Sequence, residues 1–214
     1  MGALNNNRNF FIFFVVALLL FTANCSTLKE FAKSSDPYHT ENYRKVYDKW
    51  SREARIHRGL EVELIVSATL KSREFRRAYS EEYAQAYKLN SQERSQYIEN
   101  HVGATKLGYE FLMSTFVPQK EWDDFEKAQS MWKLYLVANE DQRMAPFEIR
   151  RIKRKDAVRS HFFPYITPWK SIYVVRFPYC VLKNGKGLIG NDTRQIKLVI
   201  TSIVGTAEMV WNLE

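Results

Sequence analysis

The chain has 214 residues, of which 45% are hydrophobic and 14% aromatic, enough apolar mass for one sizeable core and too much for a largely disordered protein. Lys and Arg outnumber Asp and Glu by 32 to 24, and the resulting net charge of +8 favours acidic neighbours without naming one.

In chain order the first feature is an uncharged run from Phe10 to Ala23. Its 14 residues would reach about 21 Å as a helix, short of a bilayer core of about 30 Å. A polar start whose only basic side chain is Arg8 precedes the run and small residues follow it, the layout of a secretory signal, so residues 1–24 read as removed. The stretch "FTANC", ending at Cys25, resembles the lipobox of bacterial prolipoproteins: Thr22 and Ala23 supply small residues ahead of the cysteine. Thr22 and Asn24 stand where that family usually carries Leu and then Gly or Ala. The resemblance implies that Cys25 becomes an acylated N-terminus, and that several acyl chains hold the protein on a membrane it does not span. Ser26, rather than Asp, follows the cysteine. By analogy with enteric-type sorting this implies the outer membrane, with the domain in the periplasm. Cys180 then has no intramolecular thiol partner and reads as buried and inert.

Residues 25–39 are polar and carry Ser-Ser-Asp-Pro, which reads as a lipidated tether to a single domain over residues 40–214. Thr40 can cap a helix in which Tyr43, Val46, Tyr47, Trp50 and Ala54 recur at helical steps, with Gly59 just past its end. From Leu60 the period changes to strict alternation through Leu70, the strongest strand pattern in the chain. Phe75, Tyr79, Tyr83 and Tyr87, four apart, predict a helix packed on a sheet through an aromatic ridge, and Asn90 with Glu93 predicts the capping box of another. Strand patterns then begin at Tyr109, Met131, Pro146, Ser171, Gln195 and Thr206, the last two forming a hairpin around Gly205. The expected fold is α+β: an antiparallel β-sandwich of about seven strands, immunoglobulin-like or related, with two or three helices packed near its N-terminus.

Residues able to carry chemistry are sparse. His39, His57, His101 and His161 stand far apart, and neither a nucleophile elbow nor a phosphate loop ahead of a helix occurs, so no catalytic residue, metal or cofactor is expected. Asp123 and Asp124 read as the first turn of a short surface helix. The densest charge lies in "RRIKRKDAVR": Arg150, Arg151, Lys153, Arg154, Lys155 and Arg159 form a candidate site for phosphate-bearing lipid or glycan, while export argues against nucleic acid. The alternative use of these charges is to blunt an exposed sheet edge. Downstream, Phe162, Phe163 and Trp169, with Tyr165 and Tyr179, form a candidate docking face for an envelope protein, unless they fill the core. The function these features favour is that of a non-catalytic envelope lipoprotein that docks a partner. Binding of anionic lipid or glycan is the alternative.

Overall fold

The computed structural model describes residues 38–138, 142–154, 156–179, 189 and 193–213. The chain divides into two compact units, Met1–Thr40 and Glu41–Glu214. The expected signal segment, Cys25 and all but the last residues of the tether lie outside the described residues, as do Lys155 and Cys180.

The described residues of the second unit form an α+β fold in which nine antiparallel strands make two sheets. Helix α1 (Glu41–Trp50) passes directly into β1 (Ser51–Arg58), which turns at Gly59 into β2 (Glu61–Leu70). Helices α2 (Arg73–Ala86) and α3 (Ser91–Gly103) follow, then β3 (Tyr109–Phe116), β4 (Lys133–Ala138), β5 (Gln142–Met144) and β6 (Glu148–Arg151). A short helix α4 (Ala157–Phe162) leads to β7 (Ser171–Phe177), and the hairpin of β8 (Gln195–Ser202) and β9 (Gly205–Asn212) ends the fold. One sheet has the order β1-β2-β3-β7-β6 and the other β5-β4-β8-β9. Side chains of both contribute to one core, as where Phe111 of β3 meets Trp211 of β9 with ring centres 5.2 Å apart.

The two sheets differ in how they are covered. In β4, β8 and β9 only alternate residues are buried, including Leu134, Leu136, Ile196, Leu198, Ile200, Met209 and Trp211, so the four-stranded sheet has one dry face. In β2, β3 and β7 nearly every residue is buried. An aromatic layer from the helices and the segment before β7 covers the second face of these strands. Tyr43 of α1 donates to the Phe162 carbonyl at 2.6 Å, Phe75 of α2 packs on Phe163 at 5.8 Å, and the Tyr165 hydroxyl reaches the Leu112 carbonyl at 3.0 Å.

The two expected helix starts after Leu70 are present. Ser72 accepts from the Phe75 amide, and Asn90 and Glu93 close a reciprocal capping box. The aromatic ridge of α2 meets other helices rather than a sheet: Tyr79 packs on Phe162 at 4.8 Å, and Tyr83 stacks on Tyr97 of α3 at 4.5 Å.

The helical pattern expected to run through Ala54 stops at Trp50. Ser51–Arg58 instead pairs with β2 from Ser51↔Thr69 to Arg58↔Glu61, because the ladder offered by β2 outweighs the local apolar spacing. Gly59, with φ +64, is therefore not a helix terminator; it supplies the positive φ of a two-residue hairpin turn. Strands β1 and β5 raise the expected seven to nine, and α4 adds a helix that Asp156 caps by accepting from the Arg159 amide.

Candidate functional site

Strand geometry divides the basic segment. Arg150 and Arg151 are neighbours on β6, an edge strand, so their side chains leave opposite faces of the sheet. Arg150 stays exposed and bonds Glu148 at 3.1 Å. Arg151 turns towards the interior, donating to the Asp123 carbonyl at 2.8 Å, to Asp123 Oδ2 at 3.1 Å and to Ser171 Oγ at 2.7 Å. Arg159 pairs with Asp156 at 2.8 Å on α4 and donates to the Arg154 carbonyl. Lys153 and Arg154 are exposed and form no ion pair among the described residues. The six-residue patch expected from the sequence is thus not one surface: among its described members, only these two present an unpaired charge to solvent.

Asp123 is 3% exposed and belongs to no surface helix. A single 3₁₀ turn, Lys120–Trp122, delivers it against the paired strands β3 and β7. There Oδ1 accepts from Thr115 at 3.2 Å and Tyr173 at 3.1 Å, while Oδ2 accepts from Arg151 and Ser171. Four donors on two oxygens leave this carboxylate saturated, which suits a clamp between loop and sheet and not a proton-transfer group.

The aromatic candidates also separate. Phe162 and Phe163 are buried in the layer between helices and sheet, so the expectation that they form a docking face is corrected: α4 is amphipathic, and these are its apolar side and its C-terminal cap. Trp169, in the turn ahead of β7, is 75% exposed.

A second charged cluster was not expected from the sequence. Glu110 of β3 receives Lys71 at 2.8 Å, Arg76 of α2 at 3.5 Å and Arg176 of β7 at 2.8 Å, and Arg176 continues to Glu148 at 2.6 Å. Burial alone would raise the Glu110 pKa, but the three cations outweigh it and hold the group down at about 2. Burial pushes the Lys71 ammonium the other way, below its usual range. The cluster ties α2 to three strands. Residues from 71 to 176 contribute to it, a separation that leaves no local sequence signal.

The outer face of the four-stranded sheet is the remaining candidate. It forms a shallow concavity of about 530 Å³ bounded by Tyr135, Val137, Arg143, Lys197, Val199 and Glu208. Arg143 lies over the Tyr135 ring at 4.7 Å, and Lys197 pairs with Glu208 at 3.4 Å. No family model, curated protein or solved structure matches this chain. Among the described residues, no group of three or more His, Cys, Asp or Glu could hold a metal ion, and no helix is long and apolar enough to cross a membrane.

Proposed function

We propose that the protein is a membrane-tethered, non-catalytic docking module of the cell envelope, held by acyl chains at Cys25 and presenting the outer face of its four-stranded sheet to a protein partner. The observation that carries this reading is the unequal cover of the two sheets: helices and an aromatic layer bury the second face of one, while the other keeps Tyr135, Val137 and Val199 half-buried in a shallow concavity. The chemistry of that face suits protein better than polyanion or glycan. Arg143, Lys197 and Glu208 mix both signs, whereas a polyanion calls for one. The Tyr135 ring, the face's aromatic platform, already lies under the Arg143 guanidinium. An apolar centre rimmed by opposite charges is the usual anatomy of a transient protein interface.

Affinity capture of the full chain extracted from its membranes tests this. A partner that survives moderate salt and is lost in Tyr135→Ala and Val199→Glu variants, whose melting is unchanged, supports docking through this face. A partner retained by both variants moves the interface elsewhere. Salt-reversible binding to anionic vesicles that disappears in a Lys153→Gln, Arg154→Gln variant, with no protein recovered, would make anion recognition the function.

A further inference from the structure

Two hairpins project from the same end of the sandwich. Arg52 of β1 donates to the Val210 carbonyl of β9 at 2.8 Å, and further along Ile56 lies so close to Gly205 that a Cβ there would meet its Cγ2 at 2.6 Å. Strand β1 therefore rises beside β9 as β9 descends, and the β1–β2 turn stands next to the β8–β9 turn. At their apices Leu60 is 102% exposed and Ile203 is 94% exposed.

The turn chemistry does not ask for an aliphatic at either apex. Gly59 supplies the positive φ of the β1–β2 turn, which leaves its second position open to many side chains, and at β8–β9 the positive φ falls on Gly205 beside Ile203 and Val204. Scattered exposed aliphatics are ordinary, but two fully exposed ones side by side at adjacent turn tips, which no turn geometry requires, suit an apolar medium outside the protein. Trp169 lies towards the same end but set back from the tips, because it precedes β7, whose first residue Ser171 pairs with Thr115, and Thr115 pairs in turn with Val66 of β2.

Charge at this end selects the medium. Glu61 and Glu63 are held by Arg58, Asp123 and Glu126 by Arg151, and Asp124 by Lys127, leaving Glu121 as the acid of the β3–β4 connection without an ion pair among the described residues. Lys133 at the start of β4, with Lys153 and Arg154 after β6, are exposed cations without an ion pair among the described residues. We infer that this end of the sandwich is a membrane-contact surface: Leu60 and Ile203 enter the acyl boundary of an anionic bilayer, Trp169 lies at headgroup level, and the three cations face lipid phosphates. Protruding single aliphatic side chains suit a fluid that closes around them. Each one transferred from water improves partition by roughly ten- to a hundredfold, and Trp is favoured at such interfaces. Cationic side chains near the surface add attraction that salt weakens.

The inference goes beyond docking by the sheet face and does not require it. A photoreactive benzoylphenylalanine is placed singly at position 60, 203 or 195 of the full chain. Gln195 begins β8, whose far end leads to Ile203 about 26 Å away, and so serves as the control beyond the headgroups. Each protein is irradiated in its native membranes and in vesicles of phosphatidylethanolamine and phosphatidylglycerol, and the adducts are identified by mass. Phospholipid adducts at 60 and 203, with their loss at 195, are expected. Equal lipid adducts at all three positions, absence of lipid adducts at 60 and 203, or protein adducts in their place would overturn the inference. Acylation of Cys25 is read separately from the mass of the mature N-terminus, so a failed anchor and a failed contact surface remain distinguishable.

Discussion

Replacing Asp123 by Ala should be among the most damaging single changes in the domain. The substitution removes a carboxylate that is 3% exposed and strands four donors: Thr115, Tyr173, Ser171 and Arg151. Arg151 is 37% exposed and can turn to water, so its share is the smaller one. The hydroxyls of Thr115 and Tyr173 sit on buried residues, and each donor left without a partner costs about 1–3 kcal/mol. Tyr173 keeps the Asp123 carbonyl at 3.1 Å, which offsets part of the loss. The sum is about 3–5 kcal/mol, the range for breaking a buried ion pair from one side. For a unit of this size that lowers Tm by roughly 6–20 °C. Asp123→Asn should cost less but still over about 1 kcal/mol, since an amide offers one acceptor where the carboxylate offers two. Arg151→Gln should be milder than Asp123→Ala, because three hydroxyl donors remain. Thermal melts followed by circular dichroism at neutral pH measure all three. Asp123→Ala melting within about 2 °C of the parent would refute the clamp.

Phe162→Ala should cost about 3–5 kcal/mol in urea unfolding and Trp169→Ala under about 0.5, because one side chain fills the helix–sheet layer and the other faces solvent; comparable costs would contradict that division. Glu110, held at about 2 against 4.5 for a free carboxyl, contributes stability that is fully present above the unfolded value and is lost as pH falls from about 4.5 towards 2. The loss should be roughly 3 kcal/mol and should disappear in Glu110→Gln, and a parallel acid profile for that variant would remove Glu110 as the cause. Cys25→Ala should abolish incorporation of labelled fatty acid and leave the precursor unprocessed, whereas labelling that persists would place any acyl chain elsewhere.

Patterns that act within one element were legible in the sequence. The strand beginning at Leu60 and the Asn90–Glu93 box are read from neighbouring positions, and the structure has both, although helices and the aromatic layer bury the second face of that strand as well. Strand β1 was hidden because Tyr43, Val46, Tyr47, Trp50 and Ala54 keep helical spacing across a boundary set by pairing with β2. The burial of Asp123 is not legible along the chain, because its donors come from positions 115, 151, 171 and 173, and spacing cannot show such convergence. The basic segment was recognised as a composition but not as a geometry. Edge-strand alternation turns Arg151 inward and Arg150 outward, and the Asp156 cap takes Arg159. Leu60 and Ile203 could be read as apolar in the sequence, but their exposure depends on turns that the sequence fixes only together with register.

The proposed partner face and the proposed membrane end can operate at once, and strand β8 shows why. Lys197, Val199 and Thr201 leave it on the outer face, and its next residues lead to Ile203 at the hairpin apex. With the hairpin tips at the acyl boundary and the strands steep to the bilayer, the outer sheet face stands sideways to the membrane. It then covers the first 25 Å or so above the lipid, the rise of an eight-residue strand. A partner bound there would itself have to lie close to the membrane. A single anchoring point at Cys25 would not by itself fix the orientation of the domain, whereas contact at two tips and a third exposed ring would restrict it before the partner arrives. Preorganisation of this kind lowers the entropic cost of association without adding a contact to the partner. The expected signature is specific: Leu60→Ser with Ile203→Ser should weaken partner capture from membranes and leave it unchanged after detergent extraction. Equal weakening in both settings would place the tips inside the protein interface itself.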